Sequence, residues 1–255
     1  MIRVILKKGM GQRIIQGHPW VFNNEVDQVR GEFNPGEIGD VYTQNGTFIG
    51  KGFVNPNSQI LVRIISRSKT QSIDAGFFLD RINRAWEYRR KLGYIENCRV
   101  VFSEADELSG LIIDKFNDFL VLQTLSLGMD LWKNEIVAAL DQIFHPKGIY
   151  ERNDVPVREL EGMIQQKGFL SPSFDTNVLI RENGLQFQVD IAEGQKTGYF
   201  LDQQDNRRQI RHLVEDAEVV EAFCYSGSFS CHAAKYGARS VLGLDISATA
   251  IERAR

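Results

Sequence analysis

Residues 219–245, VVEAFCYSGSFSCHAAKYGARSVLGLD, constrain the fold of this chain more than any other stretch. Val219, Val220, Ala222 and Phe223 suit a short buried strand, and the run is broken by the turn residues Ser226, Gly227 and Ser228. From Phe229 to Tyr236 the apolar spacing is helical, Gly237 can stop that helix, and Ser240 to Leu244 is a second apolar run ending at Asp245. Strand, turn, helix and strand make one βαβ unit. Ligands of open α/β sheets lie beyond the carboxyl ends of the strands, so the bend at Ser226-Gly227 and the Asp245 carboxylate are expected to face one crevice. The bend offers backbone N–H groups to a polar or anionic ligand, and an acidic residue after the second strand can accept both hydrogen bonds of a ribose diol. The plain alternative is an ordinary core unit in which Asp245 caps a helix beginning near Ser247.

The glycine content of the bend separates cofactor classes. A nicotinamide dinucleotide site wants G-x-G-x-x-G, because a pyrophosphate needs close backbone approach free of side chains. Glu221, Phe223, Tyr225 and Gly227 stand where an acidic-x-Gly-x-Gly-x-Gly methyltransferase pattern would stand, and only Gly227 is glycine. S-adenosylmethionine (SAM) has no pyrophosphate and tolerates the bulk better. Just upstream, Glu193 to Arg207 reads EGQKTGYFLDQQDNR. Lys196-Thr197 lacks the G-x-x-x-x-G context and the preceding strand of a phosphate-binding loop, so that reading is rejected. Asp202 and Asp205 look like a helix N-terminus, where carboxylates favour the dipole; simple capping explains each of them singly.

GQKTGYFLDQQDNR, EAFCYSGSFSCHAAKYGA and GLDIS, in this order, resemble the class I SAM-dependent methyltransferases of the bacterial rRNA large-subunit methyltransferase I family, which act on cytosine C5 in 23S rRNA. The resemblance runs through essentially the whole chain: GHPWVF is similar to that family's PUA domain, and DELSGLIIDKF and IYERND to its central domain. It implies that Lys196, Phe200, Asp202, Gln203 and Arg207 border the methionine end of SAM, that Phe223, Cys224, Tyr225, Ser226 and Gly227 lie under it, with Glu221 in the same motif, that Asp245 holds the ribose and that Ile246 touches the adenine. It also implies a nucleophilic cysteine, needed to add at cytosine C6, in a strand-end motif after Arg255. No catalytic residue is therefore assigned among the residues present; Cys224, inside the cofactor turn, and Cys231, on the following helix, are set aside.

Composition bounds the rest. The 255 residues, 43% hydrophobic and 25% charged, are ordinary for a globular protein of two or more modest domains. No apolar run reaches membrane-spanning length and MIRVILKKGM is too short for a signal peptide, so no membrane partner is expected and the cytoplasm is the default. Three cysteines, Cys98, Cys224 and Cys231, form no zinc spacing, and no metal is expected. With a net charge of −3 the chain has no global pull toward RNA, so contact with RNA, taken to be 23S rRNA, has to use local patches. The candidates are Lys7, Lys8, Arg13, Arg63, Arg67 and Lys69 in the strand-rich first part, with Arg81 and Arg84 on a following helix; a solvated surface is the alternative for each.

The expected elements are a hairpin through Asn45-Gly46, a strand over 60–65, a helix from Asp74 to Leu92, a hairpin of 111–114 with 119–124, a helix from Trp132 to Phe144, a strand over 148–150, and a hairpin through Asn183-Gly184. The fold class is α/β with α+β in several domains: a PUA-like β-barrel over 1–70, a central α+β domain over 74–180, and from 185 to 255 the start of a Rossmann-like methyltransferase domain. The last helix, IERAR, has no stop signal, so a truncated methyltransferase domain is expected. Methyltransferases on another base or on tRNA, and an inactive RNA-binding module, stay open, as does the oligomeric state, including a homodimer.

Overall fold

The computed structural model describes residues 1–254. The chain forms two compact units, one of Met1–Ile95 with Arg99–Phe174, the other of Glu96–Cys98 with the chain from Asp175 on.

The first unit begins with strands β1 (Ile2–Leu6), β2 (Trp20–Val21), β3 (Val26–Arg30), β4 (Ile38–Tyr42), β5 (Phe48–Val54) and β6 (Val62–Ser66), with a short helix α1 (Gln12–Ile15) after β1. They form one sheet in the order β2-β6-β5-β4-β1-β3. Alternation places Ile2, Val4 and Leu6 of β1 inward, where they pack with Val41, Val54, Val62 and Ile64. The β4–β5 hairpin turns where expected, with Gly46 at φ +82°.

Helix α2 (Ala75–Lys91) starts at Asp74, whose side chain accepts from the Phe77 N–H at 3.0 Å, and ends before Gly93 at φ +87°. It buries Phe77, Phe78, Ile82 and Ala85. The second sheet runs β11-β10-β9-β8-β7, built from β7 (Asn97–Phe102), β8 (Leu111–Phe116), β9 (Phe119–Thr124), β10 (Gly148–Asn153) and β11 (Gln166–Phe169). The helix expected from Trp132 is two helices, α3 (Leu127–Leu131) and α4 (Lys133–Phe144), jointed at Trp132, whose ψ of 13° leaves the helical region. Trp132 packs on Phe78 at 5.2 Å between ring centroids, and Phe144 on Trp86 at 5.2 Å, so α2 and α4 lie together.

The first sheet and the helices after it share buried contacts. A Cβ on Gly128 of α3 would lie 2.0 Å from Phe53 of β5, an approach only glycine permits. The buried carboxylate of Glu161 accepts from Ser58 Oγ at 2.6 Å, Arg63 Nη2 at 2.8 Å and Asn55 Nδ2 at 3.1 Å, which supplies the partners a buried charge requires.

The second unit opens with β12 (Asn177–Glu182) and β13 (Leu185–Asp190), paired antiparallel through Asn183 at φ +49° and Gly184 at φ +78°. Helix α5 (Gln204–Gln209) follows, then β14 (Glu218–Ala222), α6 (Ser228–Lys235), β15 (Ser240–Leu244) and α7 (Ala248–Ala254). β14 and β15 pair parallel in register from Glu218↔Ser240 to Ala222↔Leu244, which makes the βαβ unit read from the sequence. The expectation of a buried strand is corrected: Val220 is 65% and Leu242 55% exposed, and the strand stops before Phe223. These two strands form a sheet of their own, and α6 packs on them. A parallel pair without cover on both faces leaves alternate side chains in solvent. Among the described residues no helix is long and apolar enough to cross a membrane.

Candidate functional site

The bend after β14 carries three left-handed residues at alternate positions, Phe223 at φ +62°, Tyr225 at +50° and Gly227 at +69°. For the two bulky ones this conformation costs on the order of 1–2 kcal/mol each. The end of β15 holds them there: the Cys224 N–H donates to the Leu244 carbonyl at 3.0 Å, and the Tyr225 N–H to Asp245 Oδ2 at 2.8 Å. The other Asp245 oxygen accepts from the Ser247 N–H at 2.8 Å. The N–H groups of Ser247 and Tyr225 keep this carboxyl below the usual carboxylate range. Asp245 thus closes the turn while oxygen lone pairs remain for further donors. Ser247, with its hydroxyl 3.3 Å from the Ala250 N–H, stands at the start of α7. Glu221 accepts from the Ser230 N–H at 2.7 Å and hydroxyl at 2.5 Å, securing the first turn of α6.

The segment 193–207 closes the other side. Lys196 Nζ ion-pairs with Asp202 at 3.2 Å and sits 4.4 Å from the Phe200 ring centroid. Burial works against ionisation of Asp202, but hydrogen bonds from Lys196 and Gln203 outweigh it and hold its carboxyl below the ordinary value. Phe200 meets Tyr225 edge to face at 6.1 Å, and the Gln195 N–H donates to the Tyr225 hydroxyl at 3.2 Å. Beneath them Arg207 is fully buried. Its Nε and Nη2 donate to the two oxygens of Glu182 at 2.5 and 2.9 Å, and Nη2 also to the Phe200 carbonyl at 2.8 Å. The pair fixes the segment to the end of β12. His232 is enclosed beside it, 3.7 Å from Glu182, and stacks on Phe187 at 5.6 Å.

These groups line a pocket of about 570 Å³, within the range of roughly 300–1,000 Å³ common for small-molecule sites. Every residue expected at the cofactor lines it except Gly227, which ends the bend just before α6 at φ +69°. The sequence reading missed Gln195, Tyr199, Ser228 and Phe229, which also line it, and Glu182, which anchors Arg207. Tyr199 sits inside the very motif quoted, where its aromatic bulk reads as core; Glu182 precedes a turn and carries no local signal. The donor set suits SAM. Asp245 has acceptor capacity for a diol, Phe223 and Ile246 present apolar surface at 89% and 101% exposure, and Lys196, Asp202 and Gln203 give a polar end. Burial first, then the charges of Glu221 and Asp245, pushes the Cys224 thiol up; burial and Glu221 do the same to Cys231. Both stay protonated thiols at neutral pH, a poor state for nucleophilic attack.

The candidate RNA residues lie in the first unit and divide sharply. Arg63 is corrected: it is buried and paired with Glu161, so it is no surface phosphate ligand. Arg13 is engaged by Glu25 at 2.7 Å and Arg81 by Glu107; Arg67 donates to the Ile14 and His18 carbonyls at 2.6 and 3.1 Å. Lys7 reaches the Asn24 carbonyl at 2.9 Å from an exposed position. Lys8, Lys69 and Arg84 are exposed.

Comparison with known proteins agrees with this geometry. Residues 4–67 match a family model described as a PUA-like domain, and residues 168–255 one described as S-adenosylmethionine-dependent methyltransferase, a family whose cofactor is SAM. The chain is 38% identical to the ribosomal RNA large subunit methyltransferase I of Pseudoalteromonas atlantica over 99% of its own length and 65% of that protein. It is 39% identical to that of Shewanella denitrificans over 100% of its length and 65% of that protein. The chain therefore spans just under two thirds of these relatives. A Streptococcus mutans structure described as a SAM-dependent methyltransferase shares the fold, with a TM-score of 0.82 at 21% identity, over 100% of this chain and 66% of that one. By these matches, the chain carries a PUA-like domain and a SAM-dependent methyltransferase domain, and along nearly its whole length it is similar to ribosomal RNA large subunit methyltransferases I.

Proposed function

We propose that the chain binds SAM in the pocket between the Phe223–Gly227 bend and the 193–207 segment, and serves the methylation of large-subunit rRNA at C5 of a cytosine in 23S rRNA. The observation that carries the reading is similarity of 36–39% to rRNA large subunit methyltransferases I along the whole chain, together with one pocket lined by nearly all the motif residues.

The bound cofactor supplies an electrophilic methyl group on a sulfonium. The residues of this chain bind and orient. Asp245, already fixed by two N–H groups, would accept from the ribose hydroxyls; Ile246 would cover the adenine; Lys196, Phe200, Asp202, Gln203 and Arg207 would border the amino-acid end, and Glu221, Phe223, Cys224, Tyr225 and Ser226 would lie under the cofactor, with Gly227 in the same bend. Methylation at C5 needs a nucleophile at C6. Neither Cys224, in the pocket, nor Cys231, on α6, is suited to it, and no catalytic residue is assigned among the residues present. The acceptor base has to leave its stack to reach the methyl group. RNA is held by the exposed cations Lys7, Lys8, Lys69 and Arg84. We take the domain limits as 1–70, 74–180 and 185–255.

Two measurements test the reading. Calorimetry with SAM is expected to give binding by the chain and a loss of at least about tenfold in Asp245→Ala, the scale of one charge-assisted hydrogen bond; no binding by the unaltered chain overturns the cofactor site. Mass spectrometry of rRNA nucleosides from cells lacking the gene is expected to show one 5-methylcytidine missing from large-subunit RNA, and an unchanged level overturns the cytosine assignment.

A further inference from the structure

We propose that His232 is a positioning residue for the SAM pocket: its neutral ring holds the anchor of Arg207 in place from behind, and taking up a proton loosens the wall that Arg207 supports. The inference rests on the cofactor reading and goes beyond it, since His232 itself does not line the pocket.

His232 lies on α6 and is wholly enclosed, between Phe187, stacked on it at 5.6 Å, and Tyr236 at 5.8 Å. Its Nδ1 is 2.7 Å from the Ser228 carbonyl, which can only accept, so the ring proton sits there. Nε2 then offers a lone pair, 3.3 Å from the side-chain nitrogen of Asn183. The same nitrogen donates to the Gln204 carbonyl at 3.2 Å. Asn183 thus ties the β12–β13 turn to α6 and to the first residue of α5, the helix that carries Arg207. Core packing alone asks for an apolar side chain at such an enclosed position; these bonds ask for a donor and an acceptor on one ring.

A second proton reverses the arrangement. Nε2 gains an N–H that faces the Asn183 donor, and the nearby acceptor is Glu182 Oε1, 3.7 Å away. That oxygen already accepts from Arg207 Nε at 2.5 Å and from the Tyr199 hydroxyl at 3.4 Å, which burial and Glu182 keep protonated. An imidazolium and a guanidinium then compete for one carboxylate in a space closed to water. Arg207 also holds the Phe200 carbonyl at 2.8 Å and lies 3.4 Å from Ser228 Oγ, and Arg207, Phe200, Tyr199 and Ser228 all line the pocket. A weaker grip of Glu182 on Arg207 therefore reaches the cofactor site. The charged groups facing the ring are Glu182 of β12, Arg207 of α5 and Lys235 of α6 itself, whose ammonium donates to the Asn183 carbonyl at 2.7 Å. Burial, with the two cations adding to it, holds His232 below the ordinary histidine value against the Ser228 carbonyl and Glu182, so the change falls on the acid side of neutrality.

The test is calorimetry of the 255-residue chain with S-adenosylhomocysteine, which has no group that titrates between pH 7.5 and 5.5, with far-ultraviolet circular dichroism at each pH. The unaltered chain is expected to lose at least about threefold in affinity between those limits. His232→Gln, whose amide can take the Asn183 N–H but no proton from solution, is expected to lose that pH dependence. His232→Leu, which offers Asn183 nothing, is expected to bind about tenfold more weakly than the unaltered chain at pH 7.5, with His232→Gln between the two. Equal slopes in the unaltered chain and His232→Gln, an affinity of the unaltered chain that does not change with pH, or a folded His232→Leu that binds as tightly as the unaltered chain each overturn the positioning role and leave the cofactor reading standing. If His232→Leu does not fold, the pH profile of His232→Gln decides. A loss of affinity that follows a loss of helix signal makes the effect one of unfolding and overturns the role as well. No binding by the unaltered chain at pH 7.5 overturns the cofactor reading, and the positioning role with it.

Discussion

The central sheet of the first unit and the parallel pair of the second are written in similar apolar residues and live in different environments. In the central sheet Leu111, Ile113, Leu120, Val121 and Leu122 are wholly enclosed, and every residue of β10 is buried. In the pair, Val220, Leu242 and Leu244 are each more than half exposed. An apolar run states that a strand wants cover; whether it is covered depends on elements elsewhere in the chain. The second unit has its own buried residues, among them Ile180, Val189 and Ile191, and adds polar ties to them: the buried Glu182–Arg207 pair and the bonds that the end of β15 makes to the bend.

That contrast can be broken, starting with the largest effect. Glu182→Ala leaves Arg207 charged and unpaired inside the second unit, and is expected to cost about 3–5 kcal/mol and abolish SAM binding. Denaturant unfolding with calorimetry reads both, and a loss under about 1 kcal/mol would show that this buried pair adds little to the unit's cohesion. In the first unit Ile113→Ala is expected to cost roughly 2–5 kcal/mol, by lost burial and a cavity. The matched change in the pair, Val220→Ala, is expected to cost less than about 0.5 kcal/mol, since the side chain is already in water. If those two costs come out equal, the pair is covered in solution and the comparison fails.

A smaller effect depends on pH. Burial lowers the His232 pKa, with Arg207 and Lys235 adding to it against the Ser228 carbonyl and Glu182, so the folded imidazole stays neutral where an unfolded one would take a proton. Because the unfolded state then binds more protons, the stabilisation is present above the ordinary histidine value and declines as pH falls through it. Unfolding midpoints at pH 7.5 and 5.5 should show a fall that is shallower in His232→Gln; parallel slopes would put the effect elsewhere.

Much of the site was legible because it is local. The strand, bend, helix and strand around Phe223 and Asp245 come from residue spacing, and the pocket gathers nearly all the motif residues because they sit at adjacent strand ends and on one following segment. Arg63 was misread for the opposite reason. In sequence it is one more cation in a strand, and the carboxylate that buries it is Glu161, 98 residues away.

By itself the sequence determined the order of elements, the turn residues, the methyltransferase motifs and most of the pocket's residues, since period, capping and motif chemistry act over a few residues. The tertiary structure alone decided which apolar strands are enclosed, which arginines are free, that Glu182 holds Arg207, and that Phe223 and Tyr225 take a glycine's backbone. Each of these depends on partners distant in sequence, and the burial or hydrogen bond they supply outweighs what any side chain prefers locally.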